Sequence, residues 1–305
     1  MIKYSPSTFK SATQAKEFVA ECDKNFGQQL SNLTEAIGNL KNIKVMTLSG
    51  PTCSGKTTAS KKILSDFKRI SKRINIVSID DFYYDKDRLL EISNAKGLKS
   101  VDYDSVDTID IEALKHVIDE IFDQKQSLVH CPVFDFVEGK RVAFRTLECT
   151  DNDVFLFEGI QALYPEIHDL LDDHGYCDIY ICPQSQLCVD GIVFEPNELR
   201  LMRRLVRDSN FRGTSAEFTF NMWDSVRHNE DVNIFPYSSV CKYKIDSVFP
   251  CEISLLKPYL DNLLATVNPD SVHYEKAVSI LDKIKHVDSL PKEYLAEDSI
   301  YREFI

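Results

Sequence analysis

The feature that most constrains this sequence is the stretch KVMTLSGPTCSGKTTAS, residues 44–60. A short apolar run, Lys44–Ser49, leads directly into the pattern G-x-x-x-x-G-K-[ST] at Gly50–Thr57, and a helix-forming segment follows it. Placed between a strand and a helix, this pattern predicts a loop whose backbone N–H groups and helix N-terminus bind phosphate oxygens. An accidental glycine turn seldom satisfies all four fixed positions in that context. We therefore predict a nucleotide-binding loop.

Two residues of this loop have individual predicted tasks. Lys56 is placed to reach the β- and γ-phosphates of a nucleotide, and the hydroxyl of Thr57 is placed to ligate Mg²⁺. The predicted cofactors are accordingly ATP and Mg²⁺. The loop residues expected to contact the nucleotide are Gly50, Thr52, Cys53, Ser54, Gly55, Lys56, Thr57 and Thr58.

Apolar runs alternate with helical patterns along most of the chain. The runs predict strands, and the segments with three- and four-residue apolar spacing predict helices at 11–40, 58–70 and 110–124; the predicted strands are 44–49, 74–79, 153–158, 178–182 and 243–249. This alternation is typical of a parallel sheet covered on both faces. We predict an α/β fold, a P-loop NTPase-type parallel sheet with helices on both faces and helical N- and C-terminal extensions. The expected divisions are an N-terminal extension at 1–42, a P-loop domain at 43–265 and a C-terminal extension at 266–305 packed on the same domain.

Composition narrows the class of protein. The net charge of −12 over 305 residues argues against a general nucleic-acid binder, which normally has a basic surface. The nine cysteines have neither a zinc-site spacing nor a disulfide framework, as expected for reduced thiols. No window approaches the ~18 consecutive apolar residues of a membrane span. We expect a cytoplasmic protein with no nucleic-acid or membrane partner.

Acidic residues follow two of the predicted strands. Asp80 and Asp81 come at the end of the strand in VSIDDFYYD, and Glu158 ends the strand in DVFLFE. Ligands of open parallel sheets bind at the carboxyl ends of the strands, where Asp80 could accept a hydroxyl proton. An aspartate is equally typical of an ordinary strand-to-loop turn, so this stretch alone leaves both interpretations open. A strand-end carboxylate can also hold magnesium directly or through water. The predicted metal ligands are Thr57, Asp80 and Glu158.

Arginines are concentrated in RLMRRLVRDSNFR. Arg200, Arg203, Arg204 and Arg207 fall at i, i+3, i+4 and i+7, which is one face of a helix, and Arg212 follows. A solvated charged face is the ordinary explanation of such a run. Because few acidic residues lie within it, we favour a lid around 200–230 that closes on phosphates through guanidinium groups. The lid would then act on the transferred phosphoryl group together with Lys56 and Asp80.

Five motifs in order resemble the uridine kinase / phosphoribulokinase family of P-loop kinases. They are SGPTCSGKTT, SIDDFYYD, VDYDSVDTID, LFEGIQALYPEI and RRLVRDSNFRG. The continuation after the last motif and the segment EDSIYREFI resemble the branch of uridine-kinase-like bacterial nucleoside kinases, whose members often carry an N-terminal TGS domain. No TGS domain fits into the residues before 44.

The resemblance implies roles at positions that match the family motifs. Asp80 would take the proton from the acceptor hydroxyl, and Asp104 would hydrogen-bond ribose hydroxyls. Tyr83 and Phe136 would line the nucleoside pocket, and Arg141 would lie near the acceptor. The arginines implied to clamp the triphosphate are Arg204, Arg207 and Arg212. The implied reaction is ATP- and Mg²⁺-dependent phosphorylation of a small-molecule hydroxyl, most simply the 5′-hydroxyl of a nucleoside such as uridine or cytidine. Family members often assemble, so the resemblance also allows a homo-oligomer.

The sequence departs from the family where the pyrimidine is read. Uridine-cytidine kinases carry a Tyr and a His at positions occupied here by Phe134 and Gly139. We expect Phe134 to line the acceptor site without reading a pyrimidine edge. A site without such polar contacts discriminates by only ~1–3 kcal/mol per contact. Two alternatives therefore stay open: a kinase of a non-nucleoside acceptor, such as a sugar phosphate or another alcohol, and a catalytically silent nucleotide-binding regulatory module.

Overall fold

The computed structural model describes residues 1–40, 42–97, 101, 103, 105–239 and 241–305. The helices are α1 Ala12–Gly38, α2 Lys56–Arg69, α3 Lys86–Ala95, α4 Ile111–Phe122, α5 Pro165–Leu171, α6 Pro196–Arg212, α7 Ala216–Asn233, α8 Phe235–Ser238, α9 Glu252–Leu264 and α10 Tyr274–Ile284. The strands are β1 Ile2–Tyr4, β2 Val45–Ser49, β3 Ile74–Ser78, β4 Leu128–Asp135, β5 Lys140–Glu148, β6 Val154–Glu158, β7 Tyr176–Cys182, β8 Leu187–Val189, β9 Ile192–Phe194 and β10 Tyr243–Asp246.

The centre of the molecule is a five-stranded sheet in the order β10-β7-β2-β6-β3. Every neighbouring pair in it is parallel, which confirms the predicted sheet. All five residues of β2 are buried, as expected for a central strand covered on both faces. Because parallel strands end at one edge, the loops after β2, β3 and β6 meet there.

Alternate residues of the strands pack into two separate apolar cores. In β6, Phe155 and Phe157 join the core with α4 and α5, whereas Val154 and Leu156 join the core with α1, α2, α6 and α9. This alternation follows from the two-residue period of a strand, since successive side chains point to opposite faces. Helices therefore cover both faces, as predicted, and α1 and α10 supply the helices expected near the two ends. Among the described residues, none of the helices combines the length and apolarity needed to span a bilayer.

Two smaller sheets were not predicted. Strands β4 and β5 form an antiparallel hairpin beside the turn that follows β3. Strand β1 pairs in parallel with β8, which forms a short hairpin with β9 immediately before α6. The segment 1–42, predicted as purely helical, thus also contributes a strand. Short strands of three residues carry too little periodicity to be recognised from sequence.

Candidate active site

The predicted phosphate-binding loop connects β2 to α2 at the carboxyl edge of the sheet. Two of its glycines are required by geometry: a Cβ atom on Gly50 would lie 2.1 Å from the carbonyl oxygen of Ile181, and Gly55 has a φ of 95°. Helix α2 begins at Lys56, so its unpaired N–H groups and the positive end of its dipole face the loop. This is the local geometry that an anion-binding loop needs.

The side chains of the loop are divided between the ligand side and the protein interior. Lys56 donates from Nζ to the carbonyl oxygens of Gly50 at 2.7 Å and Pro51 at 3.2 Å. From this position the ammonium group can exchange these hydrogen bonds for hydrogen bonds to phosphate oxygens. Thr57 is exposed, which leaves its hydroxyl accessible to a metal ion. The hydroxyl of Thr58 donates instead to Glu303 Oε2 at 3.1 Å. A contact between Thr58 and a nucleotide would therefore come from its backbone N–H.

Two buried arginines hold the outer side of the loop. Arg200 donates from Nε to the carbonyl oxygen of Thr52 at 3.0 Å, and Arg203 donates from Nη1 to the carbonyl oxygen of Cys53 at 3.3 Å. In a trans peptide the carbonyl and the next N–H point in opposite directions, and no cis peptide occurs among the described residues. Anchoring these two carbonyls therefore directs the N–H groups of Cys53 and Ser54 away from the arginines, towards the inside of the loop.

The arginine-lid prediction is consequently wrong for the first half of the stripe. Arg200 and Arg203 have no solvent exposure, and each forks onto a buried carboxylate, Glu230 for Arg200 and Glu252 for Arg203. Buried charges are stable only when paired and hydrogen-bonded, and these two satisfy that requirement. The acidic partners lie 30 and 49 residues away in the chain, so the local sequence around the stripe could not show them.

The second half of the stripe surrounds one carboxylate. Asp208 accepts hydrogen bonds from Arg204 at 3.2 Å and from Arg207 at 2.7 and 2.9 Å, and Arg212 lies 3.6 Å away. Arg207 also lies within 3.5 Å of the hydroxyl of Thr52 in the phosphate-binding loop. Three guanidinium groups thus surround one carboxylate next to the loop, and this local excess of arginines suits an anionic ligand.

The strand-end carboxylates lie at the same edge as the loop. Asp80 lies in the 3₁₀ turn Ile79–Phe82 that follows β3, and Glu158 ends β6. Strand β6 lies between β2 and β3, with Glu158 in register with both Leu48 and Ser78. Because neighbouring strands are about 4.8 Å apart, the loop and the Asp80 turn begin roughly 10 Å apart across this edge. The gap suits a terminal phosphate and an acceptor hydroxyl.

The two adjacent aspartates have different surroundings. Asp81 accepts a hydrogen bond from the backbone N–H of Phe134 at 3.1 Å and lies 3.8 Å from the Arg145 guanidinium. Burial raises the pKa of Asp81 above its ordinary value, although the Phe134 N–H and Arg145 partly oppose this. Asp81 therefore anchors the β4–β5 hairpin to the turn. Asp80 is the aspartate of the pair that stays a candidate for the catalytic carboxylate.

Aromatic side chains gather beside the Asp80 turn. The ring of Tyr83 lies 5.6 Å from Phe134 and 5.9 Å from Phe136, and these two phenylalanines lie 5.2 Å apart. Phe134 is buried, whereas 62% of Phe136 is exposed, so the cluster, which Tyr103 joins at 5.7 Å from Tyr83, opens towards solvent on one side. Asp104, predicted to bind ribose hydroxyls, lies outside the described residues. The aromatic cluster offers a flat apolar surface of the kind on which a planar ligand stacks.

Two further positions of the predicted acceptor site have structural tasks. Arg141 donates from Nη2 to the carbonyl oxygen of Phe82 and to Asp110, both at 3.0 Å, which holds this nitrogen at the N-terminus of α4. Gly139 lies in the turn of the β4–β5 hairpin with a φ of 67°, and a Cβ there would lie 3.0 Å from Lys86 Cβ. A side chain at position 139 would be strained, which explains the glycine in physical terms.

Sequence reasoning missed Gln161, which lies in the 3₁₀ turn after β6. Its Nε2 donates to the hydroxyl of Tyr83 at 3.0 Å and to the carbonyl oxygen of Tyr103 at 2.9 Å. Gln161 is fully buried, and its Oε1 has no hydrogen-bond partner among the described residues. A buried amide oxygen without a hydrogen-bond donor is costly unless a ligand supplies that donor. The signal available from sequence was its place in LFEGIQALYPEI, three residues after Glu158.

The donor set at this edge fits magnesium better than a softer metal. Glu158 accepts a hydrogen bond from the Ser78 hydroxyl at 2.8 Å, which orients its carboxylate, and Thr57 offers an exposed hydroxyl. Within the described ranges, no three His, Cys, Asp or Glu side chains form a cluster that would hold a metal by themselves. Magnesium commonly uses one or two protein oxygens together with water and substrate phosphates.

The chain is similar in sequence to several known proteins. The family model of the Phosphoribulokinase / Uridine kinase family matches residues 45–253, more than half of the chain. A uridine kinase of Ureaplasma parvum serovar 3 is 27% identical over 188 residues, covering 61% of this chain and 79% of that protein. Uridine-cytidine kinase 2-B of Danio rerio is 33% identical over 184 residues, covering 58% and 62%. The solved phosphoribulokinase from Rhodobacter spheroides superposes with a TM-score of 0.44 at 16% identity, covering 87% of this chain and 99% of that one.

The matched region begins with β2 and the phosphate-binding loop and extends through α6 and α7. It therefore includes the loop, the strand-end carboxylates and the arginines around Asp208. The chain belongs to the Phosphoribulokinase / Uridine kinase family and is an ATP-dependent kinase whose acceptor is a hydroxyl group.

Proposed function

We propose that this protein transfers the γ-phosphoryl group of ATP, with Mg²⁺, to the 5′-hydroxyl of a nucleoside. The observation that carries the proposal is the aromatic cluster around Tyr83, which lies three residues after Asp80 at the edge that also holds the phosphate-binding loop. A nucleobase has a flat aromatic face that suits such a cluster. Similar uridine kinases support a nucleoside as the acceptor.

The residues divide the reaction between them. The oxygen of the acceptor hydroxyl forms a bond to the γ-phosphorus while Asp80 accepts the hydroxyl proton. The bond between the γ-phosphorus and the β–γ bridging oxygen breaks, which leaves ADP. Lys56 stabilises charge on the phosphate oxygens, and Arg204, Arg207 and Arg212 add further positive charge beside the loop. Thr57 and Glu158 would hold magnesium together with the phosphates, and the metal would further neutralise the phosphate charge.

A second candidate, a non-nucleoside alcohol as acceptor, is favoured by the hairpin residues. Phe134 presents no hydrogen-bonding group, and Gly139 has no side chain, so neither position can read the edge of a pyrimidine. A sugar phosphate or another small alcohol remains chemically compatible with Asp80 and the arginines. A silent nucleotide-binding module is the third candidate, and the presence of Lys56, Asp80 and Glu158 argues against it.

An acceptor panel separates these candidates. Purified protein is incubated with ATP, Mg²⁺ and single nucleosides or sugar alcohols, ADP release is measured, and the product is identified by mass spectrometry. We expect at least one nucleoside to be phosphorylated and its 5′-deoxy analogue to be inert, since that analogue lacks only the proposed nucleophile. Inert nucleosides together with a phosphorylated sugar alcohol would establish the second candidate. ATP binding without transfer to any acceptor would establish the third.

A further inference from the structure

The segment Ser299–Ile305 is packed against the nucleotide-binding machinery although it lies outside the family-matched region. Ile300, Tyr301 and Phe304 are buried, and residues 300–303 form a 3₁₀ turn that the Ser299 hydroxyl caps by accepting the N–H of Tyr301. The turn lies against the start of α2 and against α6. A solvated surface turn would not bury three large apolar side chains.

The first group of contacts involves the phosphate-binding loop itself. A Cβ atom on Gly55 would lie 2.3 Å from Ile300 Cδ1, which shows how closely this side chain approaches the loop. Glu303 accepts the hydroxyl of Thr58 at 3.1 Å, across 245 residues of chain, in the first turn of α2. The segment therefore contacts both the end of the loop and the helix whose N-terminus faces the phosphates.

The second group of contacts involves Arg203. The Tyr301 hydroxyl accepts a hydrogen bond from Arg203 Nε at 3.0 Å and donates one to Glu252. The rings of Tyr301 and Phe304 each lie 5.3 Å from the Arg203 guanidinium carbon, which places the cation against two aromatic rings. Asn210 of α6 donates to the carbonyl oxygen of Phe304 at 3.3 Å, which adds a direct contact between the segment and α6.

Tyr301 and Glu252 together fix the plane of the Arg203 guanidinium. Burial raises the pKa of the Tyr301 hydroxyl well above its ordinary value, so the hydroxyl stays neutral and keeps a proton for Glu252. With Nε shared between Glu252 and Tyr301, and Nη2 shared between Glu252 and the Ser247 carbonyl oxygen, Nη1 is left to meet the carbonyl oxygen of Cys53. The orientation of that carbonyl sets the direction of the Ser54 N–H.

We propose that Tyr301, Ile300 and Glu303 are positioning residues for the phosphate-binding loop, acting through Arg203 and the first turn of α2. Nucleotide affinity then depends on a segment that touches no part of the substrate. The proposal concerns binding of the nucleotide and does not depend on which acceptor is phosphorylated.

The test measures ADP affinity by calorimetry on the full chain, without acceptor, so a wrong acceptor assignment cannot affect it. Tyr301→Phe keeps the ring and removes the two hydroxyl hydrogen bonds; we expect ADP to bind about tenfold more weakly. Glu303→Ala should weaken binding about fivefold, and Glu303→Gln, which can still accept the Thr58 hydroxyl, should restore it. Ile118→Val, in α4 on the other face of the sheet, is the control for a general loss of stability.

The outcomes separate positioning from simple stabilisation. Weaker ADP binding in Tyr301→Phe and Glu303→Ala, with parental affinity in Glu303→Gln and Ile118→Val, supports the proposal. Parental ADP affinity in Tyr301→Phe, accompanied by a melting temperature lowered as in Ile118→Val, would overturn it. If Tyr301→Phe fails to fold, the half-buried Glu303 pair decides alone, and equal affinity of the Ala and Gln variants counts against the proposal.

Discussion

Arg200 donates from Nε to the carbonyl oxygen of Thr52 over 3.0 Å, and the other end of its guanidinium forks onto Glu230. The amino-terminal half of α6 is therefore attached to the carbonyl side of the phosphate-binding loop, opposite to the N–H groups that face the inside of the loop. Any lid movement that accompanies nucleotide binding must involve the part of the arginine stripe beyond this anchor, around Asp208.

Replacing Arg200 should affect both stability and nucleotide binding. Arg200→Met leaves Glu230 with Arg227 as its remaining partner, and we expect a loss of about 3–5 kcal/mol in the free energy of unfolding, measured by urea denaturation. Arg200→Met combined with Glu230→Leu should recover much of that loss, because no buried carboxylate is left uncompensated. ADP affinity should stay low in both, since Thr52 lacks its donor. Full recovery of ADP affinity in the double variant would contradict the role given to the Thr52 contact.

The neighbouring aspartates provide a matched pair of variants. Asp80→Asn should lower turnover by about 10²–10⁴-fold with ATP affinity retained, the range for loss of a general base. Asp81→Asn should keep most of the turnover, because an amide oxygen can still accept the Phe134 N–H. Steady-state kinetics with the identified acceptor measures both. Equal turnover in the two variants would exclude Asp80 as the base.

The raised pKa of Asp81 predicts a pH dependence of stability. The folded chain favours the protonated carboxyl, so this group's contribution to the free energy of unfolding is fully present below its ordinary pKa of 3.8 and is lost as the pH rises through the folded-state pKa. Asn resembles the protonated form at every pH. The stability of Asp81→Asn relative to the parent should therefore increase from pH 3.8 upward and then level off, as measured by urea denaturation at several pH values. A difference independent of pH would argue against the raised pKa.

Glu158 should control the requirement for magnesium. Glu158→Gln can still accept the Ser78 hydroxyl but loses the negative charge, and we expect the Mg²⁺ concentration for half-maximal activity to rise about 10- to 100-fold. Glu148→Gln, at an exposed carboxylate on β5, is the control and should behave as the parent. An unchanged Mg²⁺ requirement in Glu158→Gln would remove this residue from the metal site.

Gln161 should affect kcat/KM for the acceptor and leave the KM for ATP unchanged. Gln161→Leu removes the donor to Tyr83 and Tyr103 and the amide oxygen that has no partner among the described residues. We expect kcat/KM for the acceptor to fall by an amount that corresponds to about 1–3 kcal/mol in activation free energy. The KM for ATP should stay at the parental value. A proportional change in both KM values would point to a general disturbance of the site.

The sequence predicted those features that local pattern encodes. The five central strands and the phosphate-binding loop were recognised because short apolar runs and a glycine–lysine spacing are complete within a few residues. The positions of Asp80 and Glu158 at one edge then followed from parallel strand topology. Trp223 is buried and its ring lies against the Arg200 guanidinium.

Features that depend on distant partners were not predictable. Helical spacing places Arg200 and Arg203 on one face but does not reveal that Glu230 and Glu252 meet them there. The parallel pairing of β1 with β8, across more than 180 residues, leaves no local signal, and neither does the contact between Ile300 and Gly55. The contact of Arg141 with Asp110, 31 residues away in the chain, likewise has no local signal.

The surplus of guanidinium groups around Asp208 has a consequence for how an anionic substrate approaches. The chain carries a net charge of −12, so at a distance it repels ATP, whereas the arginines around Asp208 attract it at short range. At physiological ionic strength the Debye length is about 8 Å, so salt screens the distant acidic charges but screens the partly buried arginines much less. Added salt should thus reduce the long-range repulsion of ATP and also weaken its attraction to the arginines, so that the association rate constant for ATP passes through a maximum at intermediate ionic strength.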